Sequence, residues 1–269
     1  DPHAFGAYLR EHGLMVRRTK RDVGRELPAL SRVVETVAHD DAPLTAVAPR
    51  MRELARRILD QDGTPFELMR AAQDLSSEAR QATGIAKAGA VADFVRLLVE
   101  ETGERVVLFG WHRAVYDIWT ERFEGIPLAW HTGTETPAHK RRELDRFIAG
   151  EARILIMSLR SGAGVDGLQH VCARAVIGEL DWSPGVIEQC VGRLHRDGQR
   201  DPVFAYYLLA AEGSDPAMVD TLGLKRADLS GVRDPGDAEI PVQEADPAHI
   251  RRLAAAYAGR HATPTPDVS

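Results

Sequence analysis

From residue 85 to residue 209 the apolar positions fall into two alternating patterns. Short apolar runs at Arg105–Phe109, Ile126–Trp130, Arg153–Met157, Ala175–Ile177 and Val203–Leu209 read as strands. Arg153–Met157 is continuously apolar, as a strand buried on both faces of a parallel sheet is. Between the runs the spacing turns helical. A helix over about 85–101 carries Val91, Phe94, Val95 and Leu98 on one face, and others cover His112–Phe123 and the stretch from Thr136-Pro137 to Phe147. Strands alternating with helices through short connections predict an α/β fold, a parallel sheet with helices on both faces. Such sheets place their working loops at the carboxyl ends of the strands.

The flanks follow other patterns. Residues 3–13 predict a short helix ending at Gly13, and residues 44–80 predict two amphipathic helices. Met51, Leu54, Ile58 and Leu59 line the first of these; Phe66, Leu68, Met69 and Leu75 line the second. Gly63-Thr64-Pro65 separates them, with Thr64 as the cap. Beyond Leu209, Ser214-Asp215-Pro216 opens a helix to about Leu224, residues 230–246 read as a loop, and Asp246-Pro247 starts a last helix. The tail 262–269 has the composition of a disordered segment.

Composition narrows the class. A chain of 269 residues, 44% apolar and 28% charged, can bury one good core or a core plus a small helical unit. Cys172 and Cys190 lie far apart in apolar surroundings, which predicts core thiols in a reducing compartment rather than a disulfide or zinc site. No apolar run reaches membrane-spanning length and no secretory pattern is present, so the expected location is intracellular, cytoplasmic or nucleoid-associated, with no membrane partner. The first residue is Asp1 rather than Met, as in a piece of a longer protein. The net charge of −6 is local: residues 201–250 hold three Lys/Arg and ten Asp/Glu, a balance of −7, which leaves +1 for the rest. A nucleic-acid surface would have to be a patch on that remainder.

The stretch with the most chemistry is DWSPGVIEQCVGRLHRDGQ, Asp181 to Gln199. Ser183-Pro184 is a helix start, the hydroxyl suited to capping and the proline to the first helical position. Val186, Ile187, Cys190, Val191 and Leu194 form an apolar face, and Gly198 is the expected stop. Gln189, Arg193 and Arg196 recur four and three residues apart and share a different face. Two guanidinium groups aimed together suit an anion, a phosphate above all, although a solvated basic face would have the same spacing. The pattern Q-x-x-G-R-x-x-R-x-G-Q resembles motif VI of the superfamily 2 helicases. D-W-S-P before it and G-Q after it resemble the Swi/Snf-type DNA translocases in particular. That resemblance implies a RecA-like lobe in which Gln189 touches the nucleotide cleft and Arg193 and Arg196 are arginine fingers for a γ-phosphate.

Further segments resemble the same family. VVLFGWHRAVYDIW is similar to motif IV, with His112 and Arg113 as its exposed DNA-facing candidates. HTGTETPAHKRRELDRF is similar to the next motif. There Gly133 and Thr134 would hold a backbone phosphate at a helix start, and Lys140 or Arg141 would be the basic residue. ILIMSLRSGAGVDGLQ is similar to motif V. It implies DNA contacts for Ser158 and Arg160, joined by Trp182 of D-W-S-P, and nucleotide contacts for Gly164, Asp166 and Gly167. This loop has one residue more than the family's usual A-G-G-x-G-L-N-L, and Gln169 in place of Asn. The basic stretch MVRRTKRDVGRELPAL is similar to the segment joining the two lobes of such motors, either as a linker or as a contact to DNA phosphates.

No G-x-x-x-x-G-K-[ST] and no Asp-Glu dipeptide occurs. The resemblance therefore implies a second lobe that depends on an N-terminal RecA-like lobe. That absent lobe would hold most of the ATP and the Mg2+ of a DNA-dependent ATPase acting on double-stranded DNA. The expected division is a basic linker at 1–38, a helical insertion at 39–82, the motor lobe at 83–230 and a C-terminal loop, helix and tail at 231–269. Two other readings stay open: a lobe of another superfamily 2 enzyme, RNA helicase or restriction-type translocase, and a non-catalytic interaction domain. A small-molecule enzyme on a Rossmann-like sheet lacks the expected G-x-G-x-x-G.

Overall fold

The computed structural model describes residues 27–161, 165–222 and 249–259. The elements are β1 Leu30–Val37, α1 Asp41–Leu59, α2 Pro65–Thr102, β2 Val106–Gly110, α3 Arg113–Arg122, β3 Leu128–His131, α4 Pro137–Ala149, β4 Ile154–Ser158, β5 Arg174–Ile177, α5 Pro184–Gly192, β6 Val203–Ala210, α6 Asp215–Leu222 and α7 His249–Ala258. Six strands form one sheet in the order β1-β6-β5-β2-β4-β3, every pair parallel. This is the expected RecA-like α/β fold. Every crossover returns a strand in the same direction, so all the carboxyl ends gather on one edge.

Alternation along the central strands sends successive side chains to opposite layers. Val107 and Phe109 join a core with α1, the first half of α2, α4, α5, α6 and α7. Val106 and Leu108 join a second core with α3 and the last half of α2. Helix α2 thus packs in both layers: Ala71, Leu75 and Ala79 in one, Val91, Val95 and Val99 in the other.

Three elements differ from the sequence expectation. β1 falls inside the stretch read as linker, yet it pairs with β6 over eight residues, from Leu30 opposite Val203 to Val37 opposite Ala210. Its signal is masked by Arg32 and Glu35, tolerated on an edge strand; Arg32 pairs with Glu188 of α5 at 3.3 Å. The basic positions 17–25 lie outside the described residues. Second, α2 runs unbroken for 38 residues through the expected gap and through the boundary at residue 82. Thr83 and Gly84, weak helix formers, are held by the fold. The Thr83 hydroxyl donates to the Ala79 carbonyl at 2.7 Å and accepts the Ser214 N–H at 2.8 Å. A Cβ on Gly84 would lie 2.6 Å from the Glu179 carboxylate and 3.0 Å from Val115. Third, α5 stops at Gly192 rather than near Gly198. The buried Gln199 amide donates to the carbonyls of Leu194 and Cys172, at 3.2 and 3.0 Å, and folds 193–199 into turns. Among the described residues no helix is long and apolar enough to cross a membrane.

Candidate functional site

The carboxyl edge of the sheet is framed by two buried carboxylates just past β5. Glu179, 3% exposed, accepts the N–H groups of Trp111 and His112 at 2.6 and 2.9 Å and contacts His112 Nδ1 at 2.5 Å. Asp181, fully buried, accepts Arg160 Nε and Nη2 at 2.9 and 3.0 Å and the Ser183 N–H at 2.9 Å. That last bond, rather than the Ser183 hydroxyl, serves the start of α5. Arg80 of α2 donates to the Leu180 carbonyl at 2.8 Å and stands 3.6 Å from Asp181. Burial alone would raise the Asp181 pKa. Bonds from Arg160 and Ser183 and the Arg80 charge outweigh it and hold the carboxyl below its ordinary value.

Behind this frame Lys87 and Asp215 are both buried and meet at 2.7 Å. The Lys87 ammonium also donates to the Leu208 carbonyl at 2.5 Å, and Asp215 accepts the Ala210 N–H at 2.9 Å. Arg80, Lys87, Glu179 and Asp215 line a cavity of about 10 Å³, room for about one water molecule. The sequence reading missed Glu179, Arg80 and Lys87 as site residues. The available signal was a lone lysine in the otherwise apolar I-A-K-A-G-A-V stretch of a helix, a setting in which lysine is buried only when paired.

Arg193 and Arg196 lie on the turns after α5, at the same edge. The Arg193 guanidinium is half-buried and donates to the Ser161 carbonyl. Burial, and the nearby Arg196 charge, push its pKa below the ordinary arginine value. Arg196 is exposed and pairs with exposed Asp166 at 3.3 Å. Gln169 and the Gly167 N–H hydrogen-bond Asp166 and, with Arg196, keep its pKa low. Gly167 has φ of +94°, the left-handed conformation that suits glycine. Gln189 is exposed on α5, and Gly164 lies outside the described residues. His131, at the end of β3, is pushed below the usual histidine value by burial and by the charges of Lys140 and Arg193. Three cationic side chains from α4 and the loop after α5 therefore converge on one side of the sheet edge.

The remaining candidates separate into outward and inward groups. Arg113 is exposed at the start of α3. His112, expected to be exposed, is instead turned onto Glu179 with 12% of its side chain open, because a buried carboxylate needs a partner. Trp182 is 8% exposed: its indole N–H donates to Ser76 Oγ at 2.9 Å and its ring meets His249 at 4.8 Å. Ser158 is buried at the end of β4. Gly133 and Thr134 do not start a helix; α4 begins at Pro137 with Thr136 as cap. The carboxylate of Glu135 fills the turn they make, accepting the Thr132 N–H at 2.6 Å and the hydroxyls of Thr132 and Thr134, each at 2.8 Å. Arg141 points along α4 to Asp145 at 3.1 Å, whereas Lys140 is the one felt at the strand end. Arg160 keeps half of its side chain open while locked to Asp181, with its guanidinium 5.8 Å from the Trp111 ring centre.

Comparison with known proteins agrees with this fold. Residues 89–198 match the helicase conserved C-terminal domain. Over 95% of its length the chain is 28% identical to the SWI/SNF-related matrix-associated actin-dependent regulator of chromatin subfamily A-like protein 1 homolog of Caenorhabditis elegans. Over 81% it is 28% identical to the DNA annealing helicase and endonuclease ZRANB3 of Mus musculus. It spans only 37% and 20% of those two proteins. The crystal structure of the C-terminal part of the Fun30 ATPase domain superposes with a TM-score of 0.62 at 12% identity, over 87% of this chain and 98% of that one. The Sulfolobus solfataricus SWI2/SNF2 ATPase core in complex with dsDNA gives 0.58 at 14% identity, over 88% of this chain and 53% of that one. Residues 89–198 thus match the helicase conserved C-terminal domain, and the chain is similar in sequence to SWI/SNF-related proteins and in its RecA-like fold to SWI2/SNF2 ATPase lobes.

Proposed function

We propose that this lobe is the second half of an ATP-dependent motor that moves along double-stranded DNA, an intracellular protein whose P-loop lobe supplies the rest of the catalytic site. The observation that carries the proposal is the placing of Arg193 and Arg196. They sit side by side at the carboxyl edge, one half-buried against a neutral carbonyl and the other on an exposed carboxylate. A half-buried guanidinium is held in position in a medium that screens it weakly, which suits it to the charge of a phosphate. The exposed pair of Arg196 and Asp166 is weak enough to exchange for one.

In this reading ATP would be held by Arg193, Arg196 and Gln189 on this side, and hydrolysis would supply the energy of each step. Arg193 and Arg196 orient and neutralise the transferred phosphoryl group, Asp166 holds Arg196 in place beforehand, and Gly167 lets backbone come close. In the same reading Mg2+ is held mainly by the P-loop lobe. DNA contacts fall to Arg113, Arg160 and Lys140. Such contacts read phosphates rather than bases, so binding is sequence-independent and salt-sensitive.

The test is Arg196→Ala in the protein carrying both lobes. DNA-stimulated ATPase activity is expected to fall by about 10³–10⁵-fold with the melting temperature little changed. The interaction-domain reading takes its support from the Arg196–Asp166 pair and expects the reverse, intact hydrolysis with lowered stability.

A further inference from the structure

Trp111 follows β2 directly and keeps 41% of its surface open, whereas Trp119 and Trp182 are buried at 0% and 8%. An exposed indole would ordinarily be loosely held, but this one is fixed from two sides. Its backbone N–H donates to Glu179, itself 3% exposed. The guanidinium of Arg160 lies over its ring, with Nε and Nη2 bonded to Asp181 and the remaining N–H groups on its other side. The Trp111 backbone is thus held by one buried carboxylate and its ring lies beneath a guanidinium bonded to the other, with exposed Arg113 two residues away.

A large apolar face kept in water and flanked by cations fits a ligand whose own surface alternates the same way. Resting on the motor reading above, we propose that Trp111 is a DNA-contacting residue whose indole packs on the deoxyribose of a backbone unit while Arg160 and Arg113 meet the flanking phosphates. The sugar is the apolar part of the backbone, and every nucleotide presents the same one, so the contact reads no sequence. The Glu179 bond fixes the backbone from which the ring projects, which lowers the cost of ordering this turn on binding. The contact differs in kind from those of the arginines. An indole on a sugar releases no counterions and contributes affinity that salt does not screen.

The test measures DNA affinity against salt concentration for the two-lobe protein and three variants, using a blunt duplex of mixed sequence. Trp111→Ala is expected to weaken binding roughly three- to tenfold with the slope of log affinity against log salt unchanged. Trp111→Phe should recover most of the loss. Arg113→Ala should instead reduce the slope by about 0.9. DNA should also change the intrinsic tryptophan fluorescence of the parent protein, and Trp111→Phe should abolish that change while binding persists. Three results each overturn the proposal: unchanged affinity in Trp111→Ala, a slope that falls in Trp111→Ala as it does in Arg113→Ala, or a fluorescence change surviving in Trp111→Phe. Loss of the motor reading shows separately, as ATPase activity that tolerates Arg196→Ala.

Discussion

Lys87 and Asp215 are each all but withdrawn from solvent and depend on each other. Lys87→Met would strand the Asp215 carboxylate with the Ala210 N–H as its remaining described donor. Leaving one buried partner uncompensated costs about 3–5 kcal/mol, so the urea midpoint of the lobe should drop steeply. Lys87→Met combined with Asp215→Leu should recover a large part of that loss. Asp181 carries a pH signature. Its pKa is lower in the folded protein, so the unfolded chain takes up its proton first as the medium is acidified. The stability it contributes is complete above about pH 4, the ordinary aspartate range, and is lost as pH falls through the depressed value. Asp181→Asn should therefore lower stability at neutral pH and flatten the acid limb of the stability profile, as chemical denaturation at a series of pH values would record. That Arg193 and Arg196 lie near each other was legible because their spacing is local. Their surroundings were not: Arg80 meets Leu180 and Lys87 meets Asp215 across 100 and 128 residues, and no nearby residue announces such partners.

At the level of elements, the apolar strands were read within a residue or two, since β2 and β4 are buried throughout, β5 and β6 over most of their length, and their apolar runs show it. β1 was hidden by edge charges, and the end of α5 was set by the side chain of Gln199, which a helical period does not reveal. Helix α2 is the larger lesson: Thr83 and Gly84 weaken it locally, and tertiary contact overrides them. Gly84 is there because α2 and the Glu179 loop approach closely. Gly84→Val should push the helix off Glu179 despite leaving the core composition untouched, at a cost of about 1–3 kcal/mol. A thermal melt of the variant measures it, and a melting point equal to that of the parent would mean the contact is slack.

For the molecule as a whole, parallel order and the gathering of the strands' carboxyl ends at one edge followed from the alternation of elements. That one helix would serve both layers did not, because its two apolar faces belong to different stretches of a single long period. Shared membership makes the layers unfold together. Trp119 lies in one core and Trp182 in the other, and single-tryptophan variants retaining each should report one coincident urea transition. A 38-residue helix is about 57 Å long, pinned near its middle by Arg80 to the segment before α5 and by Lys87 to the first residue of α6. A strut clamped at mid-span cannot tilt without tearing out both clamps. In the motor reading proposed above, a load on α2 would pass through Arg80 to the segment that leads into α5 and the arginine turn.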